Sequence, residues 1–438
     1  MNQFHLLQTK RFFPLFLTQF LGALNDNIYK NALVVFIAFT VADFLNINSS
    51  ILVIIAGGLF ILPYFLFSAT AGQIADKYEK STLIRRIKVA EIIIMIFASI
   101  GFIFQNVFVL MFVLFLMGTQ STFFGPIKYG ILPQHLSEKE LTGGNGLVQM
   151  GTYLAILGGT IIGGILIAEK ETGMLYVSAT VMLIAVSGWY TSRAIPVAES
   201  LNPTLKIDWN IARETIRVLG YAVKNREIFI AIISISWFWF VGATFLYLVP
   251  SYTRDVLMGN EYMATLLLTA FSIGIGSGSL MCEKLSRGRI EPGLVPIGAI
   301  GLTVFAVDLF FVGVPVVDGL VAGQSMGPGL FIENVGNWRI LIDLIFIGLF
   351  GGIYIVPLYA MVQNRSDPDH RARVIAAVNI LDALLMVISA ILVTVLISMS
   401  VTIPEIFLIV GIMNALITGT IFFIFREYIQ RFKQLIFP

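Results

Sequence analysis

Charge is what this 438-residue chain has least of. Asp, Glu, Lys and Arg make up 12% of it, against roughly 25% in a soluble globular protein. Cysteine is all but missing: Cys282 stands alone, which excludes an internal disulfide and a cysteine-based metal site. Three scattered histidines, His5, His135 and His370, exclude a histidine cluster. No phosphate-cradling glycine loop, dinucleotide fingerprint or nucleophile elbow occurs. The His-x-x-x-x-Asp motif of one acyltransferase class is absent: Glu140 stands at the acid's place after His135, and His5 and His370 have no acid there. We therefore expect no enzyme, no cofactor and no metal. The alternation of apolar and polar residues over ~10-residue segments that marks a membrane barrel is absent too.

What the chain does have is apolar length. Hydrophobic residues make up 57% of it, in recurring runs of about 20, each long enough to cross ~30 Å of hydrocarbon. Twelve spans are expected, at about 12–40, 50–75, 84–105, 106–132, 141–168, 173–194, 227–251, 262–284, 291–313, 338–362, 370–398 and 404–426. Lys10 and Arg11 lead into a full-length span with no small-residue cleavage site, so no cleavable signal is expected.

Lysine and arginine collect on one side. That side holds Lys10, Arg11, Lys77, Lys80, Arg85, Arg86, Lys88, Lys139, Arg193, the bases of 206–226, Lys284, Arg287, Arg289, Arg365, Arg371, Arg373, Arg426, Arg431 and Lys433. The other holds Lys170, Arg254 and Arg339. The positive-inside rule puts both termini and the central linker in the cytoplasm. Within that linker Ala212, Ile216, Leu219 and Val223 share a helical face, which suggests a helix on the membrane surface, with a solvated connector as the alternative.

The halves repeat. FLGALNDNIY (20–29) aligns with FVGATFLYLV (240–249) through Phe-x-Gly-Ala. GQIADKYEK (72–80) resembles GSLMCEKLSRGR (278–289), and Tyr129–Gln134 resembles Tyr359–Gln363. We therefore expect an all-α membrane protein of two six-helix bundles, residues 1–194 and 227–438, joined by an amphipathic linker over 195–226. Internal repeats of this kind build secondary transporters.

On these residues the chain resembles the major facilitator superfamily. GQIADKYEK follows that family's loop signature at Gly72, Asp76, Lys77 and Lys80, with Glu79 replacing a glycine. QFLGALNDNIYKNAL, FFGPIKYGILPQHL and SWFWFVGATFLYLVPSYTR resemble the bacterial lysophospholipid transporter family, including its branch fused to an acyltransferase and an acyl-carrier ligase. The resemblance implies twelve helices, with spans one, four, seven and ten lining a central cavity. It also implies a lysophospholipid substrate, membrane lipids around the protein, no nucleic acid, and a separate acyltransferase and acyl-carrier ligase as partners. We expect a monomer in the bacterial inner membrane.

Asp26 and Lys30 in span one and Lys128 in span four would then be substrate-pathway residues. Each such charge costs roughly 2.5–3.5 kcal/mol at mid-membrane. Asp26 and Lys30 stand i, i+4 and could simply neutralise each other. Superposing the halves puts Leu246 opposite Asp26, Leu358 opposite Lys128, and Phe245 and Tyr247 where the first half has Asn25 and Asn27. One wall would be polar (Asn25, Asp26, Asn27, Lys30, Lys128), the other apolar (Trp237, Phe238, Trp239, Phe245, Leu246, Tyr247); the alternative is that those aromatics face lipid. Many transporters of the family carry an arginine where Leu246 stands, so the resemblance does not carry over a gating ion pair between Asp26 and span seven. For the loop, the resemblance implies that Asp76 and Lys77 latch a conformation, with Gly72 and Lys80 beside them and Arg371 and Arg373 as candidate partners.

Among other intramembrane acids, Glu91 is expected to pair with Arg86 or Lys88, and Asp343 with Arg339. Of Asp308, Asp343 and Asp382, Asp382 is expected to be the most buried. The leading expectation is a flippase that moves lysophosphatidylethanolamine-type lipids inward for re-acylation by alternating access. Two alternatives stay open: a proton-coupled exporter or importer of a small soluble solute such as a drug or siderophore, and a non-transporting membrane partner of an acyltransferase.

Overall fold

A computed structural model of the protein describes residues 3–37, 49–169, 172–312 and 325–436. Lys170, span one beyond residue 37, residue 313 and residues 314–324 of the outer loop lie outside the described residues.

Among the described residues the only extended pairing is an isolated bridge from Gly259 to Met326. The helices are α1 (Phe13–Phe36), α2 (Ser49–Lys77), α3 (Lys80–Ile103), α4 (Val107–His135), α5 (Glu138–Ala168), α6 (Gly173–Ser192), α7 (Ile211–Lys224) and α8 (Arg226–Asp255). They continue as α9 (Glu261–Ser286), α10 (Leu294–Phe311), the short α11 (Pro328–Glu333), α12 (Trp338–Arg365), α13 (Arg371–Ser398), α14 (Ile403–Ile424) and α15 (Glu427–Ile436). Twelve of them have 18 residues or more. Among the described residues ten helices are long and apolar enough to cross a membrane. The two long helices that miss that standard, α1 and α3, each carry both an acid and a base in the body: Asp26 and Lys30 in one, Lys88 and Glu91 in the other.

Local chemistry sets the helix starts. Asn106 accepts from Val109 N at 3.1 Å before α4, and Asn260 accepts from Met263 N at 3.0 Å before α9. Capping boxes open α5 (Ser137 with Glu140) and α14 (Thr402 with Glu405). Each satisfies orphan N–H donors of a first turn. Prolines 63, 126, 133, 250 and 357 sit inside helices, which membrane helices tolerate when neighbouring groups take up the freed carbonyls.

The chain divides into two compact units. The first comprises Met1–Gly144, Leu154–Arg226 and Val362–Ala383; the second comprises Asn145–Tyr153, Glu227–Met361 and Leu384–Pro438. In the first, Tyr29, Leu33 and Phe36 of α1 pack with Phe102 of α3, Leu114 of α4 and Val181 of α6. Tyr29 donates its hydroxyl to Leu110 O at 2.7 Å, so the one polar atom in that cluster is satisfied.

The linker is tied to this unit. Ala198 N donates to Glu79 Oε1 at 2.9 Å, Ser200 Oγ to Lys77 O at 2.7 Å, and Asp208 N to Gln73 Oε1 at 2.8 Å. Within α7, Glu214, Val218 and Ala222 are buried. Ile216 and Val223 are exposed, as are Arg213 and Lys224.

The second unit has an aromatic core. Phe245 lies between Phe271, with ring centroids 6.3 Å apart, and Phe407 at 5.0 Å. Cys282 is fully buried, and its thiol lies 3.4 Å from Gly278 O of its own helix.

Candidate functional site

In the first unit the polar residues of α1, α3 and α4 form one connected group. Lys88 donates to Glu91 Oε2 at 2.6 Å, and both side chains are buried. Asn25 Nδ2 donates to Glu91 Oε1 at 3.0 Å, and Gln120 Nε2 to Oε2 at 3.1 Å. Ser121 Oγ lies 3.2 Å from Gln120 Oε1 and 2.6 Å from Asp26 Oδ2. Lys88 also sits over the Phe124 ring at 5.5 Å. A buried ion pair repays its desolvation only when its remaining hydrogen-bond capacity is filled; the two amides fill that of Glu91.

Asp26 is half-buried, as are Lys30 and Lys128. Among the described residues none of the three forms an ion pair, so Asp26 and Lys30 do not neutralise each other by direct contact. Asp26 lies within electrostatic reach of Glu91, Lys88 and Lys30, and its charge also acts on Lys128. Lys30 sits over the Phe60 ring at 5.4 Å, and Lys128 over Tyr129 at 4.5 Å. Cation–π contacts of this kind hold an ammonium without consuming an anion. Asn27 donates to Ala23 O of its own helix at 2.8 Å, and Asn31 to Thr160 O at 2.6 Å.

In the second unit the aromatics of α8 divide. Trp237 is buried, stacks on Phe240 at 4.7 Å and donates to Asn414 Oδ1 at 2.9 Å. Phe238 and Phe245 are likewise buried in the unit's own interior. Trp239 is half-buried against Tyr153 at 6.3 Å, with its Nε1 3.4 Å from the Tyr359 hydroxyl. Leu246 is half-buried and Tyr247 is 44% exposed. Trp239, Leu246 and Tyr247 are therefore the members of the set with surface to offer a ligand.

The loop signature assembles around Asp76, which is fully buried. It accepts from Ala372 N at 3.0 Å and from Arg373 Nε at 2.9 Å, and so caps the first turn of α13. Arg373 donates onward to Asp369 O at 2.9 Å, and Tyr221 of α7 lies 5.3 Å from its guanidinium. Arg371 does not reach Asp76 directly; its Nη2 is 3.5 Å from Ser366 O. Lys77 stacks over Tyr78 at 5.6 Å, and Lys80 is buried. At Gly72 a Cβ would lie 2.9 Å from the Arg373 Cα, so only glycine allows α2 and α13 this approach.

Glu79, the departure from the glycine of the signature, is the N-cap of α3. It accepts from Ser81 N at 2.8 Å and Thr82 N at 2.7 Å, besides Ala198 N. Burial pushes its carboxyl up, but the hydrogen bonds from Thr82, Ala198 and Ser81 outweigh that and bring it down to about 2.

Two further acids pair differently from the expectation. Arg339 turns to Asp308, through Nε at 2.9 Å and a shorter Nη2 contact, and not to Asp343. Asp343 is buried, and α10 supplies the carboxylate that Arg339 meets. Asp382 is buried at 8% exposed, but Asp343, at 1%, is the more deeply buried, contrary to the expected order. Among the described residues no group of three or more His, Cys, Asp or Glu could hold a metal ion. A cavity of about 440 Å³ opens on the flank of α3 and α4, apolar apart from Arg86, Thr119 and Gln120.

Sequence reasoning did not single out Gln120 and Ser121 and treated Lys88 and Glu91 as a local pair. The available signal was an i, i+3 ion pair inside an otherwise apolar span.

The model of the Major Facilitator Superfamily matches residues 15–332, and the chain belongs to that superfamily. It is a multi-pass membrane protein. The chain is 26% identical over 314 residues to the lysophospholipid transporter LplT of Photorhabdus laumondii, covering 70% of this chain and 69% of that one. The match to LplT of Klebsiella pneumoniae is 27% over 314 residues, covering 70% of each. Among solved structures, the human organic anion transporter MFSD10 shares the fold with a TM-score of 0.70 at 12% identity, covering 92% of this chain and 99% of that chain. The Escherichia coli fucose:proton symporter FucP does so with a TM-score of 0.66 at 14% identity, covering 94% and 97%.

Proposed function

We propose that the protein moves lysophospholipids of the lysophosphatidylethanolamine type to the inner leaflet of a bacterial cytoplasmic membrane by alternating access, for re-acylation by a separate acyltransferase. The observation that carries this reading is the set of relatives named as lysophospholipid transporters, matched over 70% of the chain. The chemistry of α1, α4 and α8 supports it. In α1 and α4, Asp26, Lys30 and Lys128 offer one anion and two cations that no ion pair consumes, the complement of an ammonium and a phosphate. In α8, Trp239, Leu246 and Tyr247 offer apolar surface for an acyl chain. Each buried methylene contributes about 0.8 kcal/mol, so the tail supplies most of the affinity.

In this reading Asp26 takes the head-group ammonium, while Lys30 and Lys128 take the phosphate. Asn25 and Asn27 hold the α1 backbone and its neighbours in place. Asp76 with Arg373 is the latch, flanked by Gly72, Lys77, Lys80 and Arg371. Both termini face the cytoplasm, following the lysine and arginine distribution. The exposed Ile216 and Val223 of α7, with Arg213 and Lys224 beside them, rest on the inner membrane surface. The protein works as a monomer.

The test is purified protein in vesicles with labelled lysolipid, with and without an ionophore. Inward movement that survives the ionophore is the expected result. Loss of movement on collapsing the proton gradient would support a proton-coupled carrier. Binding of the acyltransferase with no lipid movement would make the protein a non-transporting partner.

A further inference from the structure

Glu91 is a carboxylate that accepts from three side chains, and one of them has a second end. The carboxylate can only accept, so Gln120 must present its NH₂ to it, at 3.1 Å. That fixes the amide the other way round at its far side, where Gln120 Oε1 faces Ser121 Oγ at 3.2 Å. Ser121 in turn stands 2.6 Å from Asp26 Oδ2. A serine hydroxyl has one proton, so it donates either to Asp26 or to Gln120, never to both.

From this geometry we infer that the buried Lys88–Glu91 pair, acting through Gln120 and Ser121, is a positioning element that sets the preference of Asp26 for ammonium-bearing head groups. The inference rests on the functional reading above. With Asp26 empty, Ser121 gives its proton to the carboxylate. When an ammonium occupies the carboxylate, the Ser121 proton turns to Gln120 Oε1, so head-group binding supplies the donor that this amide oxygen lacks while Ser121 faces Asp26. Lys88 donates to Glu91 Oε2 at 2.6 Å and Gln120 Nε2 to the same oxygen at 3.1 Å, and that shared acceptor keeps Gln120 from turning over. The close fit around the Lys88 ammonium holds the pair in register: a Cβ at Gly22 would lie 2.6 Å from it, and one at Gly188 3.5 Å. A head group ending in a hydroxyl cannot neutralise Asp26 and so does not release the Ser121 proton.

The experiment compares uptake of lysophosphatidylethanolamine and lysophosphatidylglycerol into vesicles by the full-length protein and its variants. Gln120→Leu is expected to raise KM for the ethanolamine lipid about tenfold, the worth of one charge-linked hydrogen bond, while KM for the glycerol lipid and both kcat values stay put. Ser121→Ala should do the same, and Ser121→Thr, which keeps the hydroxyl, should restore the preference. Glu91→Gln strips Lys88 of its partner and is expected to fail on stability, so the α4 variants decide the matter. Equal changes for both lipids, or a Gln120→Leu protein with unchanged preference, would overturn the inference and leave lysolipid transport standing. A wild-type protein that moves both lipids without preference would do the same. A wild-type protein that moves neither lipid overturns the functional reading, and the inference with it.

Discussion

Phe20-Leu21-Gly22-Ala23 in α1 and Phe240-Val241-Gly242-Ala243 in α8 are the same four-residue pattern read twice, and the two glycines have opposite surroundings. A methyl group on Gly22 would meet the buried Lys88 ammonium at 2.6 Å, whereas one on Gly242 would meet nothing within 4 Å. The difference runs through both helices. Downstream of Gly22, α1 turns amides and an acid toward ions on α3 and α4; downstream of Gly242, α8 turns Phe245 into a stack with Phe271 and Phe407. One repeat element thus supports an ionic interior in one unit and an aromatic one in the other. A shared backbone pattern fixes where a helix approaches its neighbours, not what chemistry fills the contact.

The strongest way to break the comparison is to remove one half of the ion pair. Lys88→Met leaves Glu91 buried and unpaired and should cost about 3–5 kcal/mol, seen as a large fall in Tm of the detergent-solubilised protein; adding Glu91→Leu should recover most of it. Next come the two glycines themselves. Gly22→Ala must push Lys88 off Glu91 and should destabilise by about 1–3 kcal/mol, whereas Gly242→Ala should stabilise by about 0.5–1 kcal/mol through helix propensity. Equal effects of the two would erase the contrast.

The aromatic side is sharpened by Trp237→Phe. It strands the Asn414 amide and should lower stability by about 1–2 kcal/mol without moving KM for lysolipid; Tyr247→Ala should raise that KM a few-fold and leave Tm alone.

A pH-dependent effect is expected at Glu79. Its folded-state value of about 2 lies below the ordinary value near 4.3, so its contribution is whole above about pH 4.3 and fades as pH falls toward 2. Glu79→Gln should weaken the cap by about 0.5–2 kcal/mol at neutral pH and flatten the acid limb of Tm against pH.

Helical class, membrane location and superfamily were legible because they depend on long-range composition, such as apolar runs, lysine and arginine bias, and the loop at Gly72–Lys80. Asp76 and its helix-terminus role were readable from the resemblance, but the choice of Arg373 over Arg371 was not. Both arginines stand on the same first turn, and only the aim of Nε at 2.9 Å separates them. The pairing of Arg339 with Asp308 was hidden for a related reason. Spacing along α12 made Asp343 look nearest, while α10 brought a carboxylate from 31 residues away. Gln120 and Ser121 gave no periodic signal at all, since they sit in a run of four polar residues, Thr119 to Thr122, that spans a full helical turn and marks no single face. Trp237 read as ligand surface from composition, yet its indole N–H is already used by Asn414.

Cys282 carries a practical consequence. The protein's single thiol is sealed inside α9 with its hydrogen aimed at a backbone carbonyl, so water-borne maleimide or spin-label reagents have no native target. Cysteines introduced at Tyr247 or at Phe108, both open to reagent, would report from known places in an otherwise silent background. The wild-type chain itself is thus ready for site-directed labelling.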